Sequence, residues 1–247
     1  MENNIIEEYF NYDIVFKLLI WMGVNFLGYL FGNLLLRPIK CTCMKCIKKY
    51  IVLDEEDVFE MEYHNKTNEK KAKDFESFLL YASFHFYFSN VFTWLDYTNP
   101  IQLIYILVYL GAIVVFGILG RVKGLQTSLS ISSAKKWPLT SWITYSLSGL
   151  AVLALLGYHI YLSYIEKIIF YYLLSILGIA IYYIGLYYMY IKNDPDATLH
   201  VHHWYIGHLL CMYFRFDYII SNLAFMVLYG IFTHGIVNYG PASIFEH

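Results

Sequence analysis

Charge is scarce in this chain. Only 15% of its 247 residues are charged, which excludes an ordinary soluble domain, whose surface needs mixed charge to stay in solution. The 17 Lys and Arg nearly balance the 19 Asp and Glu, and a net charge of −2 gives no whole-chain basis for binding nucleic acid. Cysteine numbers only 4, too few for two paired zinc knuckles together with anything else. There is no GxSxG elbow, no HExxH and no glycine-rich phosphate loop, so the common hydrolase, zincin and nucleotide-binding signatures are missing. The opening MENNIIEEYFNYD is acidic and lacks the basic start of a secretory or mitochondrial presequence. No small-residue cleavage site follows, so the first apolar block reads as a retained helix. Neither end carries a lipidation or retention signal.

What the chain does have is apolar sequence: 59% hydrophobic and 20% aromatic, with 26 tyrosines. It comes in long blocks, and a bilayer core needs about 20 apolar residues per helix. Seven segments qualify, one of them marginally: Ile14–Leu36, Ser77–Leu95, Ile101–Leu119, Ser141–Tyr164, a fifth that follows Glu166-Lys167 and runs to Ile191, Thr198–Phe214 and Tyr218–Val237. The sequence therefore predicts an all-α, polytopic membrane bundle of about seven helices forming one domain over 1–247. If the histidine-rich sixth segment is shallow or re-entrant, the count is six and the C-terminus lies outside.

Loop charge orients the bundle. With the N-terminus outside, 14 of the 17 Lys and Arg fall on cytoplasmic loops, and only Lys17, Lys167 and Arg215 do not. The loop 37–76 supplies nine of them and 121–136 four. Asn65-Lys66-Thr67 is a glycosylation sequon on the wrong side of this topology, and a glycan there would invert it. The expected location is an endomembrane or plasma membrane rather than the mitochondrial inner membrane, with the lipid bilayer as the principal partner.

Three cysteines, Cys41, Cys43 and Cys46, follow the first helix among lysines. Juxtamembrane cysteines beside basic residues fit reversible palmitoylation. A metal site or unmodified thiols are the other readings.

The stretch LHVHHWYIGHLL carries His200, His202, His203 and His208 in a setting otherwise suited to lipid. The sixth and seventh segments form a hairpin that bends near Arg215-Phe216-Asp217. At 1.5 Å per residue, His200 lies about 24 Å and His234 about 27 Å from that bend, so the two reach similar depth at the cytoplasmic boundary. His200 and His203 are three apart and would share a helical face; His202 would point about 100° away from His203. The largest metal set is then His200, His203 and His234, with Asp194 or Asp196 nearby. Imidazole and carboxylate suit zinc, iron, copper or nickel. The alternatives are proton or ligand handling, and structural hydrogen bonding. His85 and His159 could be axial haem ligands only if level with each other. By the spans, His85 sits at mid-membrane and His159 nearer the outer face, where a hydrogen bond to a neighbouring tyrosine is the simpler use. A desaturase would show several histidine boxes, and only HVHH hints at one.

The tail HVHHWYIGHLL…SNLAFMVLYGIFTHGIVNYGPASIF resembles the last membrane-embedded segment of fungal LCCL-domain-containing membrane proteins and related uncharacterised multi-pass proteins. The shared elements are His200, His202, His203, Trp204, Ser221, Gly230, Phe232, Gly235, Tyr239-Gly240 and Ser243-Ile244. The resemblance covers about a fifth of the chain and includes no LCCL module. It implies that the histidine triplet and the glycines define a unit, that the His234 position accepts Asn, and that His208 is incidental. It implies no activity.

Gly230 and Gly235 are five apart and face sides differing by about 140°, each admitting a close neighbour. Gly28 and Gly32 form a GxxxG pair suited to packing inside the chain or against another membrane subunit. Asn25, Asn33, His85, Asn90 and Asp96 are the sparse polar groups a mid-membrane cavity could use. Two functions follow: a non-enzymatic component of a membrane assembly or transport system with a histidine cluster at the cytoplasmic face, or a metal- or haem-dependent membrane oxidoreductase or lipid-modifying enzyme.

Overall fold

The computed structural model describes residues 12–36, 67–119, 137–193, 198–199, 203–241 and 245–246. Among these residues it is an all-α bundle of eight helices with one two-residue β ladder. The helices are α1 (Tyr12–Leu36), α2 (Asn68–Phe88), α3 (Val91–Trp94), α4 (Ile101–Leu119), α5 (Leu139–Ile165), α6 (Ile169–Asn193), α7 (His203–Cys211) and α8 (Ile219–Tyr239). β1 (Thr198–Leu199) pairs antiparallel with β2 (Phe245–Glu246), Thr198 opposite Glu246. Among the described residues, five helices (α1, α4, α5, α6 and α8) are long and apolar enough to cross a membrane, which fits a multi-pass membrane protein.

Local chemistry sets the boundaries. Thr67 caps α2, its hydroxyl accepting from the Lys70 amide at 3.2 Å, and Glu69 pairs with Lys73 one turn on. This start lies inside the expected 37–76 loop, so α2 is longer at its head than the apolar pattern predicts. It is also shorter at its foot. Asn90 turns left-handed (φ 54°), and the chain resumes as the single turn α3 rather than continuing to Leu95. Before α4, Asp96 accepts from the amide and hydroxyl of Thr98, and Asn99 accepts from the amide of Ile101, closing an Asx-rich turn.

Side-chain contacts give the direction of each element. Trp21 donates to the Ala82 carbonyl at 2.8 Å while Tyr29 meets Phe75, so α1 and α2 are antiparallel. Trp204 meets Gly235 and the Cys211 thiol faces the Phe225 carbonyl, so α7 and α8 are antiparallel too. One rim gathers Lys17, which donates to the Phe92 carbonyl, and Tyr218, which donates to Glu166. The opposite rim gathers the β ladder and Gly240, whose φ of 71° seats it against Asp74.

The expected sixth helix is corrected. Thr198–Leu199 is extended in the ladder, and the helix covers only His203–Cys211, about 14 Å. Residues 212–218 then run on to the first rim as turns, packed by Tyr213, Phe214 and Phe216, all buried. Irregular backbone at this depth is tolerated because protein surrounds it.

Burial is very uneven. In the membrane-length window of α8, 72% of residues are buried, against 6% in α5 and in α6. α8 is the core helix, enclosed by α1, α2, α4 and α7. The α5–α6 hairpin lies to one side: His159 bonds Ser221 of α8, Tyr172 meets Tyr213 in the stretch before α8, and Tyr183 meets Tyr205 of α7.

Candidate functional site: a buried histidine pair

α8 has two packed faces, and they decide which histidines can meet. Gly230 accepts Ala112 and the Tyr109 carbonyl of α4, Thr233 bonds the Tyr109 hydroxyl at 3.1 Å, and Val237 lies against Gly32 of α1. Leu228, Phe232 and Gly235 form the other face and receive Gly207 and Trp204 of α7. Gly230 and Gly235 thus serve different neighbours, as their spacing predicts. At Gly207 and Gly235 a Cβ would come within 2.8 Å of backbone atoms, so these helices touch backbone to backbone.

The centre of this packing holds two imidazoles. Nε2 of His85, on α2, and Nδ1 of His208, on α7, are hydrogen-bonded at 2.8 Å. The other nitrogen of His85, Nδ1, is bonded to the Ser89 hydroxyl at 3.0 Å. His85 is completely buried and His208 half-buried. Aromatic rings surround the pair: Phe225, Tyr229 and Phe232 around His85, and Tyr81, Phe84 and Trp204 around His208. Contact with Phe225, Tyr229 and Phe232 puts His85 level with the middle of α8.

Each nitrogen–nitrogen hydrogen bond needs one donor, so the two neutral rings must adopt complementary tautomers. Two arrangements satisfy every partner. Either the Ser89 hydroxyl donates to His85 and His85 to His208, or His208 donates to His85 and His85 to Ser89. Passing from the first to the second moves a proton from Ser89 to His85 and one from His85 to His208, and it balances only when a proton also leaves Nε2 of His208 and another reaches the Ser89 oxygen. Apolar walls make leaving any of these groups unpaired costly.

His159 is held differently. Its Nδ1 donates to the Leu155 carbonyl at 2.7 Å, so Nε2 accepts from the Ser221 hydroxyl at 2.9 Å. That fixes one tautomer. Ser221 stands eight residues before Tyr229, about 12 Å along α8, so His159 and His85 occupy different levels, as the spans predict. Neither takes the tyrosine hydroxyl expected for it; a serine hydroxyl is a partner in both cases, and His85 has His208 besides.

The sequence singled out other residues. His200, His202, Asp194, Asp196, Cys41, Cys43 and Cys46 lie outside the described residues, and of His203 only the backbone is described. Trp204 is buried on Gly235. Trp204 sits beside Gly235, which puts the start of α7 level with His234. One part of the geometry behind the metal set differs from expectation. His234 is turned to Gly117 of α4, across α8 from the helix that carries His203, and its Nε2 accepts from the Asn238 amide at 2.7 Å. Among the described residues no three His, Cys, Asp or Glu side chains converge.

Of the two uses open to Gly28 and Gly32, packing inside the chain is the one observed. The Tyr109 ring covers Gly28, and Val237 with Ile113 covers Gly32, so the pair is spent inside the chain. Of the polar groups expected to line a cavity, Asn25 bonds the Tyr229 hydroxyl and Asn33 the Tyr29 carbonyl, closing them into the packing.

Sequence reasoning missed the His85–His208 pair and set His208 aside as incidental. The available signal was polarity: both are imidazoles in otherwise apolar stretches, His85 between Phe84 and Phe86 and His208 between Gly207 and Leu209. Comparison with family models, with curated proteins and with solved structures finds no match for this chain, so the functional reading rests on its own geometry.

Proposed function

We propose that this is a non-enzymatic, transport-related integral membrane protein in which His85 and His208 handle a proton within the bilayer. The observation that supports it is the direct 2.8 Å bond between the two imidazoles, level with the middle of the most buried helix. Ionisable groups in lipid are expensive, and those retained there commonly serve a proton or substrate path. Imidazole is the side chain whose ordinary pKa allows it to gain and lose a proton near neutrality. Serine at one end gives the pair a hydroxyl relay, and the half-buried His208 gives it an opening toward Tyr81 and Phe84. Tyr81 and Tyr229 are the other titratable side chains whose rings face the pair.

In this reading the N-terminus is outside, the rim with the β ladder is cytoplasmic, and lipid covers the α5–α6 hairpin. The histidine motif at 200–203 then stands at the cytoplasmic boundary, and residues 200–244 form the unit seen in the LCCL-type tails.

The test is proton flux. The chain is reconstituted in liposomes with an entrapped pH dye, and a potassium gradient with valinomycin sets the potential. Flux above empty liposomes that falls in His208→Leu and His85→Phe, but not in Ser221→Ala, supports the proposal. Flux unchanged by both histidine substitutions, or none in the wild-type chain, overturns it.

A further inference from the structure

Arg215 is one of three cations that loop charge places on the non-cytoplasmic side, and among the described residues it has no hydrogen bond or ion pair. It is half-buried in the wall of a cavity of about 470 Å³ at the first rim. Three parts of the fold meet there: the α2–α3 corner with Asn90 and Thr93, the α5–α6 turn with Glu166, and the bend before α8 with Asp217 and Tyr218. A guanidinium in such a place, at the edge of an apolar bundle, has lost part of its water without gaining a protein partner.

The other charges in the wall are both negative. Glu166 accepts from the Tyr218 hydroxyl at 2.9 Å, and Asp217 accepts from the Asn222 amide at 3.3 Å. Both carboxylates are exposed, each with a single side-chain hydrogen bond that positions it. A purely anionic ligand on Arg215 would meet two carboxylates, and a purely cationic one would meet the guanidinium. The charge pattern matches a group that carries both signs a few atoms apart. Phosphate suits the planar donor fork of Arg215, and an ammonium suits the carboxylates and the Tyr218 ring.

We propose that this cavity binds a zwitterionic phosphate–ammonium group, the headgroup chemistry of phosphoethanolamine. The surroundings favour the membrane lipid as its source. Phe88, Tyr164, Ile219 and Ile220 expose apolar surface beside the same rim, where acyl chains would run. The inference rests on the membrane reading but not on the histidine pair, and it stands or falls separately from the flux experiment.

Native mass spectrometry of the full chain in mild detergent tests it, with dioleoyl phosphatidylethanolamine, dioleoyl phosphatidylglycerol and dioleoylglycerol as probes. Phosphatidylethanolamine should be retained over the other two, and Arg215→Gln should weaken its retention about tenfold, the size expected for one lost charged hydrogen bond. Because Arg215 is half-buried, the exposed carboxylates supply a second test. Glu166→Gln with Asp217→Asn should turn the preference toward phosphatidylglycerol. Competition by free phosphoethanolamine would assign recognition to the headgroup alone; its failure to compete would assign a share to the chains. Either result agrees with the site. Equal retention by wild type and Arg215→Gln, or phosphatidylglycerol retained as well as phosphatidylethanolamine by the wild type, overturns it.

Discussion

Gly235 of α8 and Trp204 of α7 are packed so closely that a Cβ on the glycine would lie 2.5 Å from the tryptophan Cβ and 2.7 Å from its backbone nitrogen. Backbone cannot step aside as a side-chain tip can. Gly235→Ala should therefore force α7 and α8 apart and cost about 1–3 kcal/mol, the usual penalty of overpacking. Gly207→Ala, which meets the Leu228 carbonyl and the Phe232 amide at 2.8 Å, should behave the same way. Gly149→Ala and Gly178→Ala are the controls, since nothing stands within 4 Å of either position. Thermal stability of the detergent-solubilised chain, read by loss of the monodisperse peak after heating, separates the two groups. A Gly235→Ala protein as stable as Gly149→Ala would contradict the packing.

The histidine pair predicts non-additivity. His208→Leu leaves Nε2 of His85 buried without its partner, and His85→Phe leaves Nδ1 of His208 in the same state. Each single change should cost about 1–3 kcal/mol, since an orphaned buried polar group bears its full desolvation penalty. The double variant removes both polar groups together. It should be destabilised by clearly less than the sum of the singles, a coupling measurable by a double-mutant cycle in a denaturant series. Strict additivity would mean that the two rings do not depend on each other.

Much of the bundle could be read directly from apolar run length. Ile101–Leu119 is found with both its expected ends, Ser141–Tyr164 lies within α5, and Tyr218–Val237 matches α8 from its N-cap on. What failed were the segments where tertiary contact overrides composition. Hydropathy extends the second helix to Leu95, but Asn90 turns the chain left-handed so that α3 can cross the rim. It also extends the sixth segment over Thr198–Phe214, where pairing with Phe245–Glu246 takes the first residues out of the helix. The candidate site was harder to see for a related reason. Periodicity gives the face on which a histidine sits and its depth, but His85 and His208 are 123 residues apart. Only the packing of α2 against α7 makes them partners, whereas His234, level with the start of α7, is turned to α4.

At the first rim, Asp96 titrates below the ordinary carboxylate range because the hydroxyl and amide of Thr98 bond its charged form. A carboxylate whose folded pKa is depressed contributes stability above its unfolded pKa and loses it as pH falls through the folded value. The turn before α4 should therefore hold at neutral pH and loosen only below the usual carboxylate range. Carboxyl-carbon NMR of aspartate-labelled protein should place Asp96 below the other exposed aspartates, and Thr98→Ala should bring it up toward them. An Asp96 that titrates with the rest would remove this contribution.

Ser221 ties α8 to the α5–α6 hairpin, which has few other buried attachments. Its hydroxyl satisfies Nε2 of His159, whose Nδ1 is already committed to the Leu155 carbonyl. Ser221→Ala leaves a fixed tautomer with an empty acceptor in a completely buried ring, and should cost about 1–2 kcal/mol. The loss should be local, because most of the hairpin's residues are not buried against the core. Hydrogen exchange in lipid nanodiscs should then rise in the Glu166–Lys167 turn and the adjoining ends of α5 and α6, while α1, α4 and α8 keep their protection. Ser221→Thr retains a hydroxyl and should retain most of the protection if the wall beside Phe214 admits one methyl. Uniform loss of protection across the bundle in Ser221→Ala would show that the hairpin and the core unfold as one unit, and that the uneven burial does not divide them.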